Sequence, residues 1–238
     1  MTIVAIPTLR LTDIIYRGRY AGGGDVIVIN KTERFSHYSH LGGAVAAILG
    51  LLALLGLTWG RWDYMAVTLV YGLAVTTLFS FSAVYHALKR RDNEITVWRK
   101  LDHIAIFVMI AGSYTPLVYF YLEGAWRWGM IIGPWAIVLG GVFLKLFWLQ
   151  APRVLSPILY LGMGWLALIP LRELWLAMPR LAFWGVVAGG VAYSIGAVIY
   201  ALKRPNPVPG VFGFHEIFHV WILIGAAIHF AVVVGAVV

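Results

Sequence analysis

The chain has 238 residues, of which 61% are hydrophobic and only 12% are charged. So few ionisable groups cannot cover the surface of a water-soluble globule of this size, and the composition is typical of a membrane protein. The net charge of +8 does not indicate nucleic-acid binding, because the basic residues stand in short clusters between apolar blocks of about twenty residues.

Seven apolar stretches are long enough to cross roughly 30 Å of hydrocarbon at about 1.5 Å per residue. We therefore expect an all-α integral membrane protein, a bundle of seven transmembrane helices over residues 37–238. Residues 1–36 are predicted to form a cytoplasmic N-terminal segment, in which Val26–Ile29 could be a short strand or an interfacial anchor. The predicted spans are 38–59, 64–88, 101–122, 127–149, 154–176, 181–202 and 211–236, with only a short turn at 150–153 between the fourth and fifth.

The positions of Lys and Arg predict the orientation of these spans. Four of the eighteen basic residues, Arg61, Arg127, Arg172 and Arg180, fall on the side opposite the N-terminus, and the other fourteen fall on the N-terminal side. Cytoplasmic loops of membrane proteins carry the excess of Lys and Arg. We therefore expect the N-terminus in the cytoplasm and the C-terminus outside.

Ionisable side chains gather at the N-terminal side of the predicted bundle. His86 lies at the end of the second span, Asp102 opens the third, and His215 and His219 stand in the first turns of the seventh. Because such side chains are costly inside lipid, they are functional candidates when partners can be named. Three helices here bring polar groups to one depth.

The spacing of the histidines predicts a metal site. His215 and His219 are four residues apart, so they share a helix face about 6 Å apart along the axis. Together with His86 they would give three imidazole ligands and leave a fourth position open, the pattern of catalytic rather than structural zinc. The chain has no cysteine, so thiolate ligands and disulfides are excluded.

Two further residues are candidate catalytic groups. Ser82 precedes His86 by one helical turn, so its hydroxyl could hydrogen-bond a water or a substrate carbonyl at the metal. Asp102 could orient a ligand histidine or accept a proton from the water at the open position.

Other polar residues keep simpler interpretations. A single membrane histidine is more often a helix–helix hydrogen-bonding group than a ligand, and we assign that role to His229. His103 points about 100° away from Asp102 and is expected to pack or to support the ligands from behind. Glu33 and His40 could support the ligands or be solvated interfacial groups, and Glu216 is expected to pair with a loop or neighbour because it faces away from the histidines.

These motifs resemble a known family. The sequence reads S-A-V-Y-H at 82–86, L-D-H at 101–103, I-A-G-S-Y-T-P at 110–116 and H-E-I-F-H at 215–219. It is similar to the hemolysin III branch of the progestin and adipoQ receptor (adiponectin receptor-like) family, in the CREST superfamily that includes alkaline ceramidases. The resemblance runs from about Glu33 to His229, although Ser36 stands where Asn is usual.

The resemblance implies a seven-helix bundle with the N-terminus inside and with Zn2+ held at the positions of His86, His215 and His219. It also implies that Asp102 lies beside a zinc-bound water and that Ser82 is close by. For a bacterial member the expected location is the inner membrane, with a membrane lipid or fatty-acyl compound as the partner.

Two hypotheses of function follow. The first is a zinc-dependent hydrolase of lipid amide or ester bonds, similar to a ceramidase. The alternative is a lipid-responsive receptor or regulator of membrane state, in which zinc is structural and no bond is broken. A channel is disfavoured, because the polar groups cluster at one end of the bundle and few charged residues continue a path.

Overall fold

A computed structural model describes residues 29–91, 94–147 and 155–238, together with the backbone of two short strands. These strands, β1 (Gly18–Arg19) and β2 (Asp25–Val26), pair antiparallel with Gly18 opposite Val26. A short strand is one of two alternatives for Val26–Ile29, and of this segment Val26 lies in β2 and Ile29 lies in no strand, while 27 and 28 fall outside the described residues. The assignment of residues 1–36 to a separate cytoplasmic segment stays a prediction.

The described part of the chain is a helical bundle with a helix over each predicted span. Helices are the expected form, since every backbone N–H and C=O must be satisfied internally where no water is present. Six helices are long and apolar enough to cross a membrane, and a bent pair makes the seventh crossing. The helices are α1 (Arg34–Leu57), α2 (Trp62–Leu88), α3 (Val97–Tyr121), α4 (Gly124–Phe147), α5 (Leu155–Gly164), α6 (Leu171–Ala177), α7 (Arg180–Leu202) and α8 (Phe214–Val237).

The fifth crossing is the bent one. After α5 the chain tightens into a 3₁₀ turn at Trp165–Leu168 and then enters α6 at an angle of 55°. Pro170 stands at the bend, where it lacks the N–H that would continue the helix and its ring blocks the preceding turn. The short turn predicted at 150–153 lies outside the described residues.

The order of packing decides where the interior space lies. Helices α1, α2, α3 and α4 pack in sequence, α7 packs on α8, and α8 closes against α1. In contrast, α5 makes only sparse contact with α3 and α7. The bundle is therefore tight between α1 and α2 and between α7 and α8, and loose where α5 faces α3 and α7 and where α3 faces α8.

Large apolar side chains cover the outside of the bundle. Leu139 and Phe143 on α4 and Leu181 on α7 are among the most exposed residues of the described chain. In water such a surface would cause aggregation, whereas in a bilayer it contacts lipid tails. The fold is thus a multi-pass membrane protein whose polar residues are turned inward.

Candidate metal centre

Three histidine side chains converge between α2 and α8. His86 is in the last turn of α2, and His215 and His219 are in the first two turns of α8. The Nε2 atom of His215 lies 3.3 Å from that of His86 and 3.2 Å from that of His219. One ring nitrogen of each histidine lies within 4.8 Å of the others, so the group could hold a metal ion. The three residues predicted from the spacing are brought together.

The distances fit a first-row transition metal. A tetrahedral ion with metal–nitrogen bonds of 2.0–2.1 Å has ligand nitrogens about 3.3–3.4 Å apart, close to both separations from His215 Nε2. His86 and His219 are only 1% exposed, whereas His215 is partly exposed, so two of the three candidate ligands are shielded from competing water. Imidazole donors suit zinc, copper, iron and nickel.

Glu33 fixes the ring of His86 for this role. It ends a short 3₁₀ turn, Lys31–Glu33, that leads into α1. Its Oε2 lies 2.6 Å from His86 Nδ1, and its Oε1 accepts a hydrogen bond from Lys89 Nζ at 2.7 Å. An ionised carboxylate can only accept, so Nδ1 carries the proton and the neutral ring presents its Nε2 lone pair to the centre. Of the two interpretations open for Glu33, the structure shows the supporting one.

His40 lies behind His219 as a stacked ring. The ring centroids of His40 and His219 are 3.8 Å apart at an interplanar angle of 26°. Both nitrogens of His40, and Nδ1 of His219, are buried and have no hydrogen-bond partner among the described residues. His40 is therefore not a solvated interfacial group, and its contact restrains the orientation of a ligand ring.

A second pair of contacts fixes the start of α8. Ser36 Oγ on α1 donates to Glu216 Oε1 at 3.3 Å, and the backbone N–H of Gly213 donates to Glu216 Oε2 at 2.8 Å. Glu216 thus pairs with the preceding loop and with a neighbouring helix, as predicted. Because it lies between His215 and His219 in the chain, its anchoring sets the position of both ligands.

A cavity of about 1200 Å³ adjoins the histidines. All three line it, and it continues between the helices to Met178 and Phe183 near the opposite side of the bundle. Its volume exceeds the 300–1000 Å³ typical of small-molecule pockets. The sequence did not predict this space, since it arises from the sparse packing of α5.

Ser82 and Asp102 line the same cavity. Ser82 is buried one turn before His86, as its spacing predicted. The Oδ2 atom of Asp102 lies 3.7 Å from Nδ1 of His103. His103 also lines the cavity, with its Nδ1 2.7 Å from the Arg99 carbonyl oxygen. Asp102 and His103 point about 100° apart on α3, and the cavity is wide enough that both side chains line it.

His229 has the packing role expected of it. Its Nε2 lies 3.2 Å from the carbonyl oxygen of Val186 on α7, so the ring joins α7 to α8. It stands ten residues beyond His219 and takes no part in the cluster of ligands.

Comparison with known proteins gives the family. A model described as Haemolysin-III related matches residues 28–230. A protein named Hemolysin-3 homolog from Bacillus subtilis (strain 168) is 31% identical over 169 residues, which cover 71% of this chain and 76% of that protein. Hemolysin-3 of Bacillus cereus is 32% identical over 161 residues, covering 68% and 70% of the two chains. Heptahelical transmembrane protein ADIPOR2 of Oryza sativa subsp. japonica is 32% identical over 196 residues, covering 73% and 81%.

These matches confirm the resemblance to hemolysin III and to adiponectin receptor-like proteins. The first two relatives are bacterial, in agreement with a multi-pass protein of a bacterial membrane. The seven crossings agree with the heptahelical name of the third. This chain therefore belongs to the Haemolysin-III related family of membrane proteins.

Proposed function

We propose that the protein is a zinc-dependent hydrolase that cleaves an amide or ester bond of a membrane lipid. The observation that carries the proposal is the convergence of three imidazole nitrogens, from the buried His86 and His219 and the partly buried His215, on the wall of a cavity between the helices. Three histidines with a fourth position open to a ligand are a donor set of catalytic zinc.

His86, His215 and His219 would hold the ion, and Glu33 would keep the ring of His86 in the required tautomer. When bound, zinc would act as a Lewis acid that polarises the scissile carbonyl and acidifies a water molecule. Burial of these ligands keeps the surroundings of low polarity, which strengthens the electrostatic interactions of the site.

Hydrolysis adds the elements of water across the C–N or C–O bond. One proton must leave the attacking water, and one must reach the departing amine or alcohol. We assign this transfer to Asp102, the carboxylate of α3 on the same cavity wall, as a general base and then a general acid. Ser82 would donate a hydrogen bond to the carbonyl oxygen as negative charge develops there.

The cavity supports a fatty-acyl substrate. Its wall between the histidines and Phe183 includes apolar side chains such as Leu78, Met109 and Ile222, which suit a hydrocarbon chain. The scissile carbonyl would then lie at the histidine end, and the chain would extend along the cavity toward the opposite side of the bundle.

The test uses purified full-length protein whose zinc content is measured by elemental analysis. It is mixed with a long-chain ceramide or the matching acyl ester, and fatty-acid release is followed by mass spectrometry. We expect release by the wild type and a loss of about 100-fold or more in Asp102→Ala. We expect no zinc and no release in His219→Ala, whereas His229→Gln should keep its zinc.

Equal release by wild type and by zinc-free His219→Ala would refute the proposal. A structural-zinc regulator is the second candidate, and it has its own support. The three ligands tie the end of α2 to the start of α8, so an ion there would clamp two helices whether or not a bond is cleaved. For that candidate, zinc raises thermal stability while ceramide and ester are both left intact.

A further inference from the structure

Lys145 is a buried cation on the cavity wall that the proposed chemistry does not use. It lies near the end of α4 and is 1% exposed. Its ammonium group donates to the hydroxyl of Ser156 at the start of α5 and lies 5.9 Å from the ring centroid of Tyr160. All three residues line the cavity.

No carboxylate among the described residues lies within 4.0 Å of the Lys145 ammonium group. The same holds for Arg99, which also lines the cavity and donates to the carbonyl oxygen of Glu94. The start of α3 lies beside the end of α4, because Lys100, next to Arg99, donates to the carbonyl oxygen of Leu146, next to Lys145. Two cations therefore share this side of the cavity without an acidic partner at contact distance.

Three acidic residues line the cavity, and two of them are engaged elsewhere. Both oxygens of Glu33 are occupied by His86 and Lys89. The carboxylate of Glu216 is held by Ser36 and by the loop before α8. Asp102, the third, lies 3.7 Å from His103 Nδ1 and not within 4.0 Å of the Lys145 ammonium group, so no carboxylate of the described residues pairs with Lys145 directly.

A buried ammonium group without a counter-ion is strongly disfavoured, above all at membrane depth. A ligand that brings its own negative charge would remove this cost. The Ser156 hydroxyl accepts from Lys145 and can donate its own hydrogen to an anionic oxygen. Tyr160 donates to the carbonyl oxygen of His103 at 3.2 Å, which places this group of residues directly beside the Asp102 side of the cavity.

We propose that the cavity binds an amphiphile with an anionic headgroup, a phosphate or a carboxylate, held by Lys145, Arg99 and Ser156. The hydrocarbon chain of the amphiphile lies in the apolar part of the cavity. Phosphate and carboxylate oxygens match the donors of Lys and Arg in charged hydrogen bonds. This site requires that the cavity bind an amphiphile and does not require that any bond be cleaved.

The test compares the binding of charged and uncharged amphiphiles that have the same chain length. Zinc-loaded full-length protein in phosphatidylcholine nanodiscs is titrated with hexadecyl phosphate, palmitate, hexadecanol and inorganic phosphate, and binding is followed by thermal stabilisation. We expect the two anionic amphiphiles to bind about tenfold or more tightly than hexadecanol. Inorganic phosphate alone should not stabilise the protein, and comparison of the two anionic amphiphiles identifies the preferred headgroup.

The variants distinguish anion binding at the lysine from anion binding at the metal, since zinc could itself attract an anion. Lys145→Met should lower the affinity for the anionic amphiphiles to about the affinity for hexadecanol. Lys145→Arg should retain the wild-type affinity. Lys100→Met is the matched control, because Lys100 lies at the same end of the bundle and donates to the Leu146 carbonyl oxygen. Arg99→Gln should also reduce the preference, and it tests the site if Lys145→Met fails to fold.

Two results would overturn the proposal. One is equal binding of hexadecyl phosphate and hexadecanol by the wild type, which needs no variant. The other is an anion preference that persists in Lys145→Met, or in Arg99→Gln where Lys145→Met is unstable, since the metal would then be its source. Neither result depends on whether the protein hydrolyses lipid, so this proposal and the hydrolase proposal fail separately.

Discussion

The carboxylate of Glu33 accepts a hydrogen bond from Nδ1 of His86 across 2.6 Å, although 53 residues separate them in the chain. A carboxylate behind a ligand histidine fixes the tautomer and raises the basicity of the coordinating nitrogen. The pair therefore joins the turn before α1 to the metal centre at the end of α2.

Replacement of this carboxylate should weaken metal binding without removing a ligand. We expect Glu33→Gln to bind zinc about 10- to 100-fold more weakly than the wild type, as measured by competition with a chromophoric chelator. Glu123→Gln, a change at an exposed residue on the opposite side, is the control and should leave the affinity unchanged. Wild-type affinity in Glu33→Gln would show that the contact does not tune the ligand.

Metal removal should destabilise the bundle. An ion held by α2 and α8 stabilises the folded state by its binding free energy, about 4 kcal/mol at a concentration one thousand times its dissociation constant. For a chain of this size that corresponds to a fall in Tm on the order of 10 °C when a chelator is added. The measurement is thermal unfolding of the protein with zinc and with EDTA.

The same experiment on variants shows where the ion binds. His215→Ala should unfold at the temperature of the metal-free wild type and should not respond to EDTA. His37→Gln is the control, since His37 Nδ1 lies 2.9 Å from the Ala83 carbonyl oxygen on the same side of the bundle, outside the cluster. A full EDTA response in His215→Ala would place the ion elsewhere.

The sequence predicted the cluster of three histidines because its signal is local. His215 and His219 are related by one helical turn, and His86 is placed at their depth by the alternation of spans. Each inference needs only helix geometry and a count of crossings. The same reasoning predicted that a helix would cover each span, with ends that differ by a few residues from the predicted ones.

The sequence could not choose the partners that depend on tertiary packing. Whether Glu33 meets water or His86 depends on how α1 docks against α2, and its two roles stayed open for that reason. Lys145 entered the sequence analysis only as one of the fourteen basic residues counted on the N-terminal side. Its burial follows from the packing of α4 and α5 around Ser156, which no short-range pattern encodes.

Reciprocal contacts join α7 and α8 at mid-membrane. The ring of His229 lies against Gly189, where an added Cβ would come within 2.2 Å of its Cδ2 atom. In the opposite direction the ring of Tyr193 lies against Gly225, where an added Cβ would come within 2.6 Å. Each helix thus supplies a glycine that receives an aromatic ring of the other, as is common in membrane bundles.

Filling either gap should destabilise the pair of helices. We expect Gly189→Ala and Gly225→Ala each to lower the free energy of unfolding by about 1–3 kcal/mol, measured by denaturation in mixed micelles. Gly235→Ala is the control on α8, because no atom lies within 4 Å of the added Cβ. The double variant Gly189→Ala/His229→Ala should show coupling, with a smaller loss than the sum of the two single changes.

Orientation in the membrane is a prediction of the charge distribution. Helices alternate in direction, so the start of α1, the end of α2 and the start of α8 lie on one side, and the end of α8 lies on the other. The excess of Lys and Arg on the first side predicts that the metal centre faces the cytoplasm.

Alkaline phosphatase is active only outside the cytoplasm, so its fusion after Val238 should be active in cells, whereas its fusion in the loop after Lys203 should be inactive. A fluorescent protein that folds only in the cytoplasm should give the reverse pattern. Active phosphatase at Lys203 would instead show that the histidines face the outside of the cell. The substrate would then be expected in the outer leaflet.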